Sequence, residues 1–133
     1  MQNCTTTEGA AACRCRLPPA TQEAAKFNQC RGVYIEGCDI SGAWDNAVDM
    51  VAVQYGHILG SRLHAAGWCA YHKGGSAYHL VAGNEIYDCG ESGYAAGQGT
   101  GFEYMTPPWL LYEAYDIKVG GPFGCAFCIL VFG

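Results

Sequence analysis

Val33-Tyr34-Ile35-Glu36-Gly37-Cys38-Asp39-Ile40 is the stretch whose register decides the fold. Its second half, Ile35 to Ile40, returns 23 residues later as Ile58-Leu59-Gly60-Ser61-Arg62-Leu63 and again as Val81-Ala82-Gly83-Asn84-Glu85-Ile86. Gly37, Gly60 and Gly83 share one position of the repeat, and Ile40, Leu63 and Ile86 share another. A fixed short period of this kind marks a solenoid, in which each repeat covers its neighbour's apolar face. A fourth copy, Tyr112-Glu113-Ala114-Tyr115-Asp116-Ile117, is expected after an offset of 31, with Ile117 continuing the Ile40 column.

The text between the repeat marks is short apolar pieces broken by glycine, with no 3.6-residue period long enough for helical repeats. Parallel strands in adjacent coils lie about 4.8 Å apart, so equivalent residues touch. Ile35, Ile58 and Val81 then form one interior column and Ile40, Leu63 and Ile86 a second. Asp39, Arg62 and Glu85 fall between them on the outer face, their signs alternating along the stack, with Asp116 expected next.

Outward from this centre, residues 1–28 lack the repeat and form an irregular lead-in. Thr21 is positioned to N-cap a short helix over 22–27, which would cap the open first coil. Residues 29–133 are assigned to the parallel β-coil. The Pro-Pro loop at 104–110 interrupts the period, and insertions of this kind collect on one face of a solenoid. The apolar end Cys125 to Phe132 is expected to fold back into the coil or to meet a second copy. Of the two, a homo-oligomer through the C-terminal coil is the favoured expectation.

The chain has 133 residues, a formal charge of −5 and only 7 Lys and Arg. Without a basic cluster, neither nucleic acid nor an anionic membrane surface is the expected partner. The first eight residues have no basic n-region and no apolar h-region, so no signal peptide is expected. Nine cysteines without a compact pattern point to buried free thiols rather than a disulfide framework. Cys125-x-x-Cys128 has no second Cys pair, and the four histidines occupy four different columns, so no metal and no cofactor are expected.

Repeats reading Val81-Ala82-Gly83-Asn84-Glu85-Ile86-Tyr87-Asp88-Cys89-Gly90 resemble the right-handed parallel β-helix proteins of the pectate-lyase-like superfamily. The resemblance covers about residues 30–120. It implies an all-β right-handed parallel β-helix of about four coils, shorter than most members, which are usually secreted. It also implies a polysaccharide ligand and a site on an outer sheet face, used in that family by lyases and hydrolases. In the 23-residue register Asp45, Asp49, His72, Lys73 and Glu91 gather as candidate catalytic residues on such a face. Paired carboxylates there suit glycoside hydrolysis, and a lysine beside a carboxylate suits proton abstraction. Tyr55 and Tyr78 stack in one column, and with Gln98, Glu103 and Trp109 they are the candidate substrate contacts. Tyrosine presents an apolar face to a sugar, but a column of tyrosines is as readily an ordinary aromatic stack. The competing reading is a non-catalytic assembly module that associates with its own copies.

Overall fold

The computed structural model describes residues 22–97 and 113–120, together with the backbone of two further strands at 13–16 and 130–131. The chain is an all-β parallel solenoid of about three turns. The first coil contains β1 (Cys13–Arg16), β2 (Glu23–Asn28) and β3 (Arg31–Glu36), and the second β4 (Cys38–Ser41), β5 (Asn46–Val51) and β6 (Gln54–Leu59). In the next two coils the first pair of strands merges into one long strand. The third coil is β7 (Arg62–Lys73) and β8 (Ser76–Ala82), and the fourth β9 (Glu85–Ala96) and β10 (Ala114–Gly120). The last strand is β11 (Leu130–Val131). Among the described residues sheet A has seven strands and sheet B has four, in the order β10-β8-β6-β3, and every pairing is parallel.

The 23-residue register holds along β3, β6 and β8 of sheet B and the first half of sheet A. Ile35, Ile58 and Val81 are in line, as are Ile40, Leu63 and Ile86. All six are buried at 6% exposure or less, so each contributes about 1.5–3 kcal/mol of transfer free energy. Asp39, Arg62 and Glu85 also lie side by side, with Arg62 Nη2 2.9 Å from Asp39 Oδ2. Arg14 of β1 falls opposite Asp39, extending the alternation of sign by one coil.

Each coil turns through four left-handed corners at the same repeat positions. They are Gln29, Ala52 and Gly75; Gly32, Tyr55 and Tyr78; Gly37, Gly60 and Gly83; and Gly42, Ala65 and Asp88, all with φ between 50° and 89°. Only the third set is glycine throughout. Elsewhere an L side chain carries roughly 1–2 kcal/mol of strain. Ala65 is such a corner, and it is exposed. Ala65→Gly is therefore expected to stabilise the fold by about 0.5–1 kcal/mol, corner relief exceeding the glycine entropy term. A urea melt checks this, and an unchanged or lower midpoint would count against strained corners.

Inside the third corner set a polar ladder satisfies backbone amides between coils. Cys38 N–H donates to Ser61 Oγ at 3.1 Å and Ser61 N–H donates to Asn84 Oδ1 at 2.9 Å. Asn84 Nδ2 in turn donates to the Ile58 carbonyl at 2.7 Å.

Five expectations are corrected. Residues 23–28 are a strand, not a capping helix, because Ala25, Lys26 and Phe27 pair in register with Val48, Asp49 and Met50 of β5. A helix this short has little intrinsic stability, and the open ladder of β5 decides the outcome. The coil therefore begins before residue 29, and it completes about three turns rather than four. The fourth copy is displaced: Ile117 does not continue the Ile40 column of sheet A but lies in β10 of sheet B opposite His79, with Val119 opposite Val81. Cys69 and Cys89 are not free thiols but a disulfide joining β7 to β9; Cys30 and Cys38 remain free among the described residues.

The fifth correction is one of register. Between Ala66 and Trp68 the ladder is irregular, so β5–β7 partners stand 22 apart and β7–β9 partners beyond that point 24 apart. Gly67 marks the spot, where a Cβ would sit 2.9 Å from the carbonyl oxygens of both Trp44 and Asp45. A one-residue slip sends side chains to the opposite face. Asp49 thus faces Tyr71 rather than His72, Lys73 faces Val51 rather than Met50, and Trp68 faces Asn46 and Ser92 rather than Asp45 and Glu91. β11 adds Leu130 and Val131 to sheet A beside Ala95 and Ala96, which is the fold-back arrangement of the two expected for this strand.

Candidate functional site

The five candidate catalytic residues do not form one site. His72 points into the lumen and is fully buried. Asp49, on the other face of sheet A, is also fully buried. Its Oδ2 accepts a hydrogen bond from Lys26 Nζ at 2.9 Å, and Lys73 Nζ approaches Oδ1 at 3.6 Å. Lys26 also donates to Glu23 at 2.6 Å. Burial alone would lower the Lys26 ammonium, but hydrogen bonds to Glu23 and Asp49 outweigh it and raise its pKa. Lys73 additionally lies 4.0 Å from the centre of the Tyr71 ring, which also stacks with Trp68 at 4.9 Å. Asp45 is half-buried and Glu91 exposed. Burial pushes the Tyr71 hydroxyl up to about 12, with further contributions from Glu113, Asp49, Asp45 and Glu91. Glu23, Lys26, Asp49 and Lys73 are an ion-paired cluster centred on a buried carboxylate. Among the described residues no group of three or more His, Cys, Asp or Glu is placed to hold a metal.

The lumen holds a cluster that the column pattern missed. His79 of β8 meets His72 of β7 across the interior, Nδ1 to Nδ1 at 2.8 Å, and Tyr94 Oη lies 3.1 Å from the same His72 nitrogen. His79 Nε2 lies 2.8 Å from the Val53 carbonyl, so it carries the proton. Its Nδ1 is then the acceptor and His72 Nδ1 the donor. His72 Nε2 has no hydrogen-bond partner. A charged His72 would bury an unsatisfied N–H there, and burial and the neighbouring His79 hold its pKa well below the usual range. Burial likewise lowers His79 to about 4. Counting columns along the axis places the two in separate sets, and only the strand faces bring them together.

The accessible chemistry lies on the outer face of sheet B. Among the described residues, four of the five exposed large hydrophobic residues are there: Tyr34 at 62%, Tyr55, Tyr78 and Leu80, with Trp44 the exception. The Arg31 guanidinium lies 4.8 Å over the Tyr55 ring, Tyr55 stacks on Tyr78 at 5.1 Å with 22° between planes, and Tyr115 meets Tyr78 edge-on at 5.5 Å. In the next column Tyr34 leans on His57 at 4.7 Å, and His57 Nδ1 accepts a hydrogen bond from Leu80 N–H at 3.0 Å. The expected Tyr55–Tyr78 ladder is present. The faces of Tyr55 are covered by Arg31 on one side and Tyr78 on the other, so a ligand meets ring edges and phenol hydroxyls. Gln98, Glu103 and Trp109 lie outside the described residues.

Comparison of the chain with family models, with curated proteins and with solved structures gives no match.

Proposed function

We propose that the protein is a non-catalytic glycan-binding solenoid that holds a neutral polysaccharide against the outer face of sheet B. The observation that carries this reading is the placement of Tyr55 and Tyr78. Both occupy left-handed corners, at φ 58° and 60°, where the preceding coil has Gly32. Bulky residues with positive φ are strained, and strain of this kind concentrates where side-chain placement matters for binding. Phenol hydroxyls, the tilted Tyr34 ring and Leu80 together offer the mixture of apolar contact and hydrogen bonding that sugars require. The net charge of −5 disfavours acidic polysaccharides. The burial of Asp49 under two lysines supports binding without hydrolysis or elimination.

Affinity electrophoresis in gels cast with neutral polysaccharides tests the reading. The expected result is retardation that weakens about two- to thirteenfold in affinity for each of Tyr34→Ala, Tyr55→Gly and Tyr78→Gly, from about 0.5–1.5 kcal/mol per aromatic contact. Glycine suits the corner φ, so the two corner variants remain folded. Native protein that migrates freely through every gel, or Gly variants that bind like the native chain, would overturn the reading.

A further inference from the structure

We propose that Cys13 and Cys38 form a second disulfide, a covalent cross-link between the first and second coils. The strand β1 pairs with β4 in parallel, and Cys13 is directly opposite Cys38. Opposed Cα atoms in adjacent parallel strands are about 4.8 Å apart, inside the roughly 4.4–6.8 Å that disulfides span. The register is supported by charge as well as by the ladder. It puts Arg14 opposite Asp39, the next member of the alternating column that runs on through Arg62 and Glu85. A slip of one residue would put Arg14 opposite Cys38 or Ile40, both buried. Cys13 therefore takes the repeat position of Cys38, Ser61 and Asn84, the column of the polar ladder between coils. In the second and third coils the amides of that column, Cys38 N–H and Ser61 N–H, are satisfied by side-chain oxygens of the following coil, and the first coil carries a cysteine at the same position. Cys69–Cys89 already joins the third coil to the fourth, so the same chain carries a precedent for a bridge between neighbouring coils.

The reaction is thiol–disulfide exchange with a small-molecule disulfide as oxidant. One protein thiolate attacks a sulfur of the small disulfide, forming a mixed disulfide and releasing one small thiolate. The second protein thiolate attacks the protein sulfur of that mixed disulfide and expels the other. Two protein thiols are oxidised to one cystine, the small disulfide is reduced to two thiols, and the two protons go to the released thiolates.

Tryptic peptide mapping tests the link. The purified full chain is equilibrated in oxidised and reduced glutathione, alkylated, and digested without reduction. Cleavage at Arg14, Arg31 and Arg62 isolates Cys38 as the only cysteine of peptide 32–62, while Cys13 lies in peptide 1–14 with Cys4. The expected product is 1–14 linked to 32–62, persisting in Cys4→Ser and lost in Cys13→Ser. Formation of Cys69–Cys89 in each sample reports that the coil is folded. Alkylated Cys38 in a sample whose Cys69–Cys89 bond has formed, a bond from Cys38 to any other cysteine, or a link that survives Cys13→Ser would overturn the proposal.

Discussion

Lowering the pH from 6.5 to 5 is expected to reduce the unfolding free energy by about 3 kcal/mol. The change comes from His72 and His79, whose folded-state pKa values are depressed, His79 to about 4. In the unfolded chain both return to about 6.5, so below that pH the unfolded state binds more protons than the folded state. The stabilising effect is complete above pH 6.5 and is lost as the pH falls towards 4. The geometry gives the same sign independently. His72 Nε2 has no acceptor for a second proton, and the two Nδ1 atoms at 2.8 Å leave room for one proton between them. Carboxylates titrate mostly below this window, which isolates the imidazoles. Urea midpoints at half-unit pH steps make the measurement. A midpoint flat from pH 7 to pH 5 would show that the two rings are not buried together.

Asp49→Ala is expected to destabilise the protein by about 1–3 kcal/mol, because two lysines lose a buried partner. The full cost of breaking a buried pair is not reached, since the Lys26 side chain is 46% exposed and can turn to water. Asp49 gathers Lys26 of the first coil and Lys73 of the third, so its removal loosens three coils at once. Lys73→Ala leaves the shorter Lys26 contact in place and is expected to cost less than half as much. The sequence alone placed Asp49 on an outer sheet face, where a substitution would leave the melt nearly unchanged. Thermal melts of the two variants decide between these, and an Asp49→Ala melt equal to native would restore the surface assignment.

The fold was legible because β3, β6 and β8 of sheet B keep a strict period. Ile35, Ile58 and Val81 needed only counting. The site was not legible because it depends on side-chain parity in sheet A, where one irregular step at Gly67 turns His72 inward and Asp49 outward. A single-residue shift leaves almost no mark in composition, and glycine is common throughout this chain. The strand at 23–28 was obscured by two alanines and a lysine, good helix formers, although Lys26 between two apolar residues does echo Asp49. The Cys69–Cys89 bridge was hidden by an odd cysteine count, and its partners stand 20 apart, off the 23-residue register. The tyrosine platform was visible as a column, but nothing in the sequence showed that its ring faces are shielded by one another and by Arg31.

The four left-handed corners recur at the same positions in successive coils, and this makes the molecule a ruler with discrete markings. A cassette of 23 residues excised at one corner and spliced in at the same corner of another coil begins and ends with matching backbone conformation. Each such duplication would lengthen the rod by one strand spacing, about 4.8 Å, and extend every column by one member. Length could therefore grow by whole units of gene duplication, whereas an insertion of one residue between corners would reverse the faces of every residue up to the next bend.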